Sequence, residues 1–275
     1  MIKIAITVRN RLSVTKKCIQ SLQKHSDLPH QIYIYDNLTN YKLDDHFEYF
    51  KDLYKKGAIH QLTFNTVEST HNAFSKASSL NQFGANHEQD PQKSSTDFLL
   101  IIDNDVIVSP GWDTILHQAW KHVRKTKLDN IKVIGQLPGG IKNTQTYAGK
   151  VAGFDTKLGK LGGSGFWSLR SDFYRDVGFL DLKQLVGRNK QHDQKTWHEM
   201  DKKTNGQPYI MGIKTKLATH VGGMAGSVCN VLSHKTNDAK LKQIQFKEAD
   251  KKIEAMTFEQ FYDTIVNDRY LANAW

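Results

Sequence analysis

Cysteine is scarce in this 275-residue sequence, which contains only Cys18 and Cys229. The two cysteines lie in unrelated contexts, and neither belongs to a CxxC pair. Small secreted proteins that depend on disulfides have a much higher cysteine density. The sequence therefore excludes a disulfide scaffold and fits the reducing environment of the cytoplasm.

Long apolar runs are missing as well. No segment approaches the roughly 20 apolar residues that a membrane-spanning helix needs. The first residues, MIKIAITVRN, have the pattern of a strand and not that of a signal peptide. No long low-complexity tract or repeat interrupts the chain. We therefore expect a folded cytoplasmic protein without an integral membrane segment.

Acidic residues are too few to balance the basic ones. The 38 Lys and Arg residues face 28 Asp and Glu residues, which gives a formal net charge of +10. This charge favours a polyanionic partner such as nucleic acid, an anionic membrane surface or a phosphorylated small molecule. The Lys-rich segments 142–160 and 235–252 suggest a nucleic-acid-binding module, although no helix-turn-helix, zinc-finger or RNP signature accompanies them. A solvated helix face is the alternative for the second segment.

Strand and helix patterns alternate along the chain. Apolar runs predict strands at residues 2–8, 31–36, 58–64 and 97–103. The last of them, DFLLIID, is the most apolar, so we expect it at the centre of the sheet. After Pro110, helical spacing predicts a buried face made of Trp112, Ile115, Leu116, Ala119, Trp120 and Val123. The pattern indicates an α/β fold.

The C-terminal region has a different pattern. From about residue 239 onward the chain is predicted to be helical, with Lys-rich turns. Thr257 and Gln260 have the spacing of a capping box in front of an apolar face. We expect a helical appendage over residues 236–275.

Two carboxylates follow the most apolar strand. Asp103 and Asp105 are separated by one residue at the point where this strand ends. Ligands of open α/β sheets bind at the carboxyl ends of the strands, and two carboxylates there can hold one Mg²⁺ or Mn²⁺ ion that neutralises a diphosphate. The alternative is a plain Asp-Asn-Asp turn that caps the next segment.

Several motifs in this order resemble the nucleotide-binding half of GT-A glycosyltransferases, most closely those of family 2. The motifs are the segment Thr7-Val8-Arg9-Asn10-Arg11, Asp36 after the second strand, and the DxD element Asp103-Asn104-Asp105 followed by VIVSPGWD. The resemblance implies a GT-A fold, in which helices flank a Rossmann-like, mixed and mostly parallel sheet. It also implies that Thr7, Arg9 and Asp36 contact the nucleoside, and that Asp103 and Asn104 belong to the donor site.

The second half of the chain adds further parallels with that family. The segment GSGFWSLRSDFYRDVGFLD at 163–181 resembles its acceptor loop, which makes Gly165, Phe166 and Trp167 candidates for acceptor contact. Core packing is the alternative for the two aromatic residues. The resemblance implies that Asp193 is the general base, and a helix-capping role is its alternative. It also implies that His220 completes the metal shell formed by Asp103 and Asp105.

These inferences together predict a metal-dependent glycosyltransferase that uses Mn²⁺ or Mg²⁺. Its catalytic domain is expected over residues 1–235, with a nucleotide-sugar-binding half at 1–110 and an acceptor-binding half at 111–235. The donor is expected to be a UDP-sugar, and the acceptor to be DNA or a cell-envelope glycan. Asp193 as base predicts inversion, whereas a structural Asp193 leaves retention open.

Other functions compatible with the sequence are glycosyl transfer to a modified base of DNA, non-catalytic nucleic-acid binding, and nucleotidyl transfer. A glycosyltransferase that acts on DNA would have to expose the base. A nucleotidyltransferase shares the α/β fold and a carboxylate-bound metal, but its usual Gly-rich, basic phosphate loop after the first strand is absent from this sequence.

Overall fold

A computed structural model provides the coordinates of the protein. It describes residues 1–37, 43–65, 72–136, 146–151, 153–160, 165–179, 192–221 and 250–266. Within these ranges the side chains of residues 72–75, 146–148 and 192–197 are not described.

The main structural element is a sheet of nine strands in the order β3-β2-β1-β4-β9-β6-β10-β8-β7. The strands are β1 Ile2–Val8, β2 His30–Asn37, β3 Gln61–Asn65, β4 Phe98–Asp103, β6 Val133–Gln136, β7 Thr146–Val151, β8 Phe154–Gly159, β9 Phe166–Arg170 and β10 Ile210–Ile213. Two further strands, β5 Val106–Val108 and β11 Ala218–His220, form a small separate sheet.

The sheet is mixed, as predicted. Strands β1, β2, β3 and β4 are mutually parallel where they pair, and β6 pairs with β10 in parallel. Strand β9 runs antiparallel to both β4 and β6, and β8 runs antiparallel to β7 and β10. All seven residues of β1 and five of the six residues of β4 are buried. The apolar runs at 2–8 and 97–103 therefore lie in the interior of the sheet, as their composition predicts.

Helices cover both faces of the sheet. They are α1 Leu12–His25, α2 Leu43–Lys55, α3 Asn72–Gln89, α4 Trp112–Lys125, α5 Phe173–Asp176, α6 His192–Lys203 and α7 Phe258–Val266, and residues 250–255 are also helical. The predicted helix after Pro110 is confirmed as α4, whose apolar face is buried except for the half-buried Ile115. Among the residues that the structure describes, none of these helices has the length and apolarity to cross a bilayer.

The core has two parts, one on each face of the sheet. Along β1, Ile2, Ile4 and Ile6 pack into one cluster with α1, α2 and α4, whereas Ala5 belongs to the other cluster with α3, α5 and α6. This alternation is the expected consequence of a strand buried on both faces. The fold therefore holds the ends of its central strands rigidly between two helical layers.

The C-terminal helices pack on the α1 face. Ile253, Phe261 and Ile265 belong to the same core cluster as the sheet. The predicted capping box is confirmed: Gln260 Oε1 accepts the Thr257 N–H at 2.9 Å, and Thr257 Oγ1 accepts the Gln260 N–H at 3.2 Å. The described part of the expected appendage thus shares the main core, while the proposed boundary at 236 lies outside the described residues.

Candidate metal and nucleotide site

The predicted site residues of the first half meet at one edge of the sheet. Because β1, β2 and β4 are parallel, their carboxyl ends lie side by side. Val8 pairs with Asp36 and Thr7 pairs with Asp103 in the strand register. The Thr7 hydroxyl donates to Oδ1 of Asp103 at 3.2 Å. Parallel pairing thus places Thr7 and Asp103 side by side, with Asp36 one register position further along, at the edge where ligands of such sheets bind.

The small second sheet brings His220 to the two aspartates. Strand β5 follows Asp105 directly and pairs antiparallel with β11, which places His220 opposite Val106. The Val221 N–H donates to the backbone oxygen of Asp105 at 2.8 Å and fixes this register. Nε2 of His220 lies 2.8 Å from Oδ1 of Asp105. Asp103, Asp105 and His220 each therefore offer one ligand atom, and these three atoms lie within 4.8 Å of one another.

These three side chains suit a divalent cation. Carboxylate oxygens are ligands for Mg²⁺ and Mn²⁺, and a neutral imidazole suits the transition metal. Oδ1 of Asp105 is buried and lies beside Nε2 of His220, so a carboxylate oxygen and an imidazole nitrogen face each other within ligand distance of one ion. The donor set and its geometry therefore fit the predicted metal.

Two cationic side chains contact the same carboxylates. Nη1 of Arg11 lies 2.7 Å from Oδ2 of Asp105. The Lys76 ammonium forms an ion pair and hydrogen bond with Oδ1 of Asp103. Sequence reasoning did not assign these cations to the site. Lys76 and Asp103 are 27 positions apart on different elements, so only the fold brings them together.

The charges around Asp105 determine its protonation. Burial by itself would raise the pKa of this carboxyl, but the nearby His220 ring and the Arg11 guanidinium outweigh burial and hold the pKa well below its usual range. Burial would lower the pKa of His220, but the Asp105 and Asp103 carboxylates outweigh it and raise this pKa. Asp105 is therefore ionised, as a metal ligand must be.

Asn104 connects this turn to α1. Its Nδ2 donates to the backbone oxygen of Asn10 at 3.1 Å and to Oγ1 of Thr15 at 2.8 Å. Asn104 is buried, so its amide nitrogen stabilises the contact between the turn at residues 103–105, called the metal turn below, and the loop after β1. Direct donor contact by Asn104 stays a prediction.

The expected nucleoside residues differ in exposure. Arg9 is exposed just after β1, whereas Asp36 is only 1% exposed. Oδ2 of Asp36 lies 3.2 Å from Nδ1 of His46, which is fully buried in α2. Nucleoside contacts by Thr7, Arg9 and Asp36 stay predictions, and the structure adds His46 as a neighbour that orients the Asp36 carboxylate.

The two aromatic candidates for acceptor contact lie in the core. Phe166 and Trp167 on β9 are each 3% exposed and point to opposite faces of the sheet. The Phe166 ring meets that of Trp112 at a centroid distance of 6.3 Å. This burial favours the core-packing alternative for both rings, and acceptor contact by Phe166 and Trp167 stays a prediction. Gly165 lies next to the metal turn, since its backbone oxygen accepts the Asp103 N–H at 3.0 Å.

The remaining candidates are described only in part. Asp193 lies in the first turn of α6, but its side chain is outside the described residues. Of the two Lys-rich segments, residues 235–249 of one and residues 142–145 and 152 of the other also lie outside them. The roles of Asp193 and of these lysines therefore stay predictions.

Comparison with known proteins gives matches in structure only. No family model matches the sequence, and no curated protein sequence matches it. The fold is similar to the mannosyltransferase PcManGT from Pyrobaculum calidifontis, solved with GDP-Man and Mn²⁺, with a TM-score of 0.53 and 9% identity over 96% of this chain and 74% of that one. It is also similar to GalNAc-T7, solved with UDP, GalNAc and Mn²⁺, with a TM-score of 0.52 and 13% identity over 98% of this chain and 57% of that one.

A third similar structure is S. aureus TarS, at a TM-score of 0.46 and 10% identity over 79% of this chain. The present chain spans only 36% of the length of TarS. Identities this low establish the architecture alone. The protein has the GT-A fold found in glycosyltransferases, as the sequence motifs predicted.

Proposed function

We propose that this protein is a metal-dependent glycosyltransferase that moves a sugar from a nucleoside-diphosphate sugar to an acceptor hydroxyl. The observation that carries the proposal is the convergence of Asp103, Asp105 and His220 within 4.8 Å at the carboxyl edge of a GT-A sheet. A plain Asp-Asn-Asp turn gives no reason for a histidine 115 positions later to meet both carboxylates.

Each part of the site has a task in this proposal. Asp103, Asp105 and His220 hold Mn²⁺ or Mg²⁺, and the bound ion neutralises charge on the departing nucleoside diphosphate. Thr7, Arg9 and Asp36 hold the nucleoside beside it. Two similar structures contain GDP-Man or UDP together with Mn²⁺, which supports a UDP- or GDP-sugar donor. We place UDP-sugars first.

The acceptor side is proposed from fewer observations. Gly165 borders the metal turn through its contact with Asp103, so the acceptor is expected to approach over the start of β9. Asp193 would remove the proton of the attacking hydroxyl, which predicts inversion at the sugar carbon. Replacing Asp193 with Asn should preserve donor binding and abolish transfer. Normal turnover in that variant would make Asp193 a structural residue.

The net charge of +10 favours an anionic acceptor, either DNA with a modified base or an anionic cell-envelope glycan. Duplex DNA binding that weakens steeply with salt would support DNA, because phosphate contacts release counterions. Binding that is independent of salt, or no binding, would favour the glycan. Released nucleoside diphosphate, in place of pyrophosphate, would exclude nucleotidyl transfer.

The central test is titration calorimetry of Mn²⁺ and UDP- or GDP-sugars against the Asp103→Asn and Asp105→Asn variants. These changes keep side-chain size and remove the ligand charge. We expect metal affinity to fall by at least about 100-fold, since even the outer partners of metal ligands are worth about 10- to 100-fold. Asp52→Asn, which changes an exposed carboxylate on α2, is the matched control and should bind normally. Unchanged metal dependence in both site variants would disprove the proposal.

A further inference from the structure

We infer that Arg11 and Lys76 are internal counter-ions of the metal site, which a divalent cation displaces from Asp105 and Asp103 and which then bind the donor diphosphate. This inference rests on the proposed function. It concerns the order and coupling of ligand binding, which the metal ligands by themselves do not determine.

The two cations approach the carboxylates from opposite faces of the sheet. Arg11 directly precedes α1, which packs on one face, and Lys76 belongs to α3, which packs on the other. Arg11 contacts Oδ2 of Asp105, and Lys76 contacts Oδ1 of Asp103. Each of the two carboxylates therefore has a cation of its own.

The backbone around Arg11 is built to hold it there. Asn10 and Arg11 have φ angles of 55° and 60°, the left-handed region that residues other than glycine rarely adopt. The Asn104 amide holds the Asn10 carbonyl, and both the N–H and the hydroxyl of Thr15 donate to the Arg11 carbonyl at 3.0 Å. A strained conformation that several contacts maintain is typical of a functional position.

The charges of these four side chains determine how strongly the site attracts a metal ion. The two carboxylates and the two cations cancel, so the site offers little net attraction to a metal ion that arrives alone. An incoming ion must also compete with an ammonium and a guanidinium for the carboxylate oxygens. After it binds, the site carries two excess positive charges, which match the two negative charges of a nucleoside-diphosphate sugar.

Metal and diphosphate should therefore bind cooperatively. The displaced cations lose their carboxylate partners when only the metal binds, and they regain anionic partners when the diphosphate is present. Arg11 and Lys76 are only 25% and 16% exposed, so both remain within the site. Guanidinium and ammonium groups are the usual protein partners of phosphate oxygens. Reciprocal coupling of this kind commonly amounts to about 5- to 150-fold in affinity.

The test measures Mn²⁺ binding by electron paramagnetic resonance, without nucleotide and with UDP or GDP, after subtraction of the Mn²⁺ that the free nucleotide binds. In the unmodified protein, whichever of UDP and GDP the protein binds should raise its affinity for Mn²⁺. Lys76→Met and Arg11→Gln should each bind Mn²⁺ alone more tightly, on the order of fivefold, because a competing cation is gone. Both variants should also show weaker coupling to the nucleotide. This gain of metal affinity is the distinctive result, since loss of a purely supporting residue would weaken binding.

Two controls separate charge from position. Lys76→Arg keeps the cation and should retain the coupling, and Lys121→Met removes an exposed lysine on α4 and should change neither quantity. Thermal melting checks that each variant is folded. If Arg11→Gln does not fold, the result for Lys76→Met decides whether the inference holds. Cooperative Mn²⁺ binding that both variants leave unchanged would overturn the inference and leave the proposed function intact. Absence of Mn²⁺ binding to the unmodified protein, with or without nucleotide, would overturn both.

Discussion

Asp250 caps helix α1 at Ser13, 237 residues earlier in the chain. Its Oδ1 accepts the backbone N–H of Ser13 at 3.3 Å and also accepts the Ser13 hydroxyl. Helix α1 begins at Leu12, and the preceding Arg11 makes no side-chain cap hydrogen bond. The first N–H groups of a helix need acceptors from outside the helix, and Asp250 supplies one. The C-terminal helices thus complete the helix that follows Arg11, the residue that pairs with Asp105.

Replacing Asp250 with Ala should destabilise the protein by about 1–3 kcal/mol, because a helix cap is lost and a buried donor loses its acceptor. Urea denaturation measures the change in the free energy of unfolding. Asp263→Ala, an exposed position on α7, is the matched control and should shift stability by no more than about 0.5 kcal/mol. Equal stabilities of the two variants would contradict the capping role.

The architecture was predictable because its signals are local. The runs at 2–8 and 97–103 are mostly apolar where the sheet buries them, with Lys3 and Thr7 as the polar exceptions in β1, and the α4 face repeats at helical spacing. The capping box at Thr257 is set by residues three positions apart. Such patterns depend on hydrophobic burial and backbone geometry, which a single sequence displays directly.

The site was predictable only where a strand end marked it. Asp36 and Asp103 follow apolar strands, but nothing near Lys76 or His46 in the sequence indicates which carboxylate each will face. Those pairings depend on how α2 and α3 pack against the sheet. Trp167 left two alternatives open for a different reason, since an aromatic residue beside glycines has the same local sequence whether it binds sugar or fills the core.

Trp167→Ala distinguishes the two roles that the sequence left open for this residue, core packing and acceptor contact. The Trp167 side chain is 3% exposed and packs in the core cluster beside α3 and α5, so its truncation should cost about 3–5 kcal/mol. Thermal and urea unfolding measure the loss. Tyr54→Ala, at a side chain that is 56% exposed, should cost far less. A stable Trp167→Ala protein that binds donor but fails to transfer sugar would support the acceptor role.

The buried pair of Asp36 and His46 predicts energetic coupling between the end of β2 and helix α2. His46→Phe keeps a ring but removes the Nδ1 contact with Asp36 at 3.2 Å, and it should cost about 1–3 kcal/mol. In an Asp36→Asn background the same change should cost less, because the charged partner is already gone. A double-mutant cycle measures this difference, which is expected to be at least about 0.5 kcal/mol. Additive effects would show that the two side chains do not cooperate.

His87 should make stability depend on pH. It is 2% exposed, and its Nε2 lies 2.7 Å from the Ser171 carbonyl. Burial, which outweighs the contact with Ser171, lowers the pKa of His87 below its ordinary value of 6.5. The unfolded chain therefore takes up a proton at a higher pH than the folded protein does. Above about pH 6.5 this difference has no effect on stability. Below that pH the free energy of unfolding falls by up to about 1.4 kcal/mol per pH unit, until His87 also becomes protonated in the folded protein.

His87→Gln keeps a donor for Ser171 and removes the titrating ring. The free energy of unfolding should be measured by urea denaturation between pH 7.5 and 5.5 for both proteins. As the pH falls, the free energy of unfolding is expected to decrease less in the variant than in the unmodified protein. The difference in stability between the two proteins should therefore change steadily between pH 6.5 and 5.5. His198→Gln, at an exposed histidine on α6, is the matched control for replacing an imidazole at a different position. Parallel curves for His87→Gln would show that the buried imidazole accepts a proton without penalty, and that burial does not control its charge.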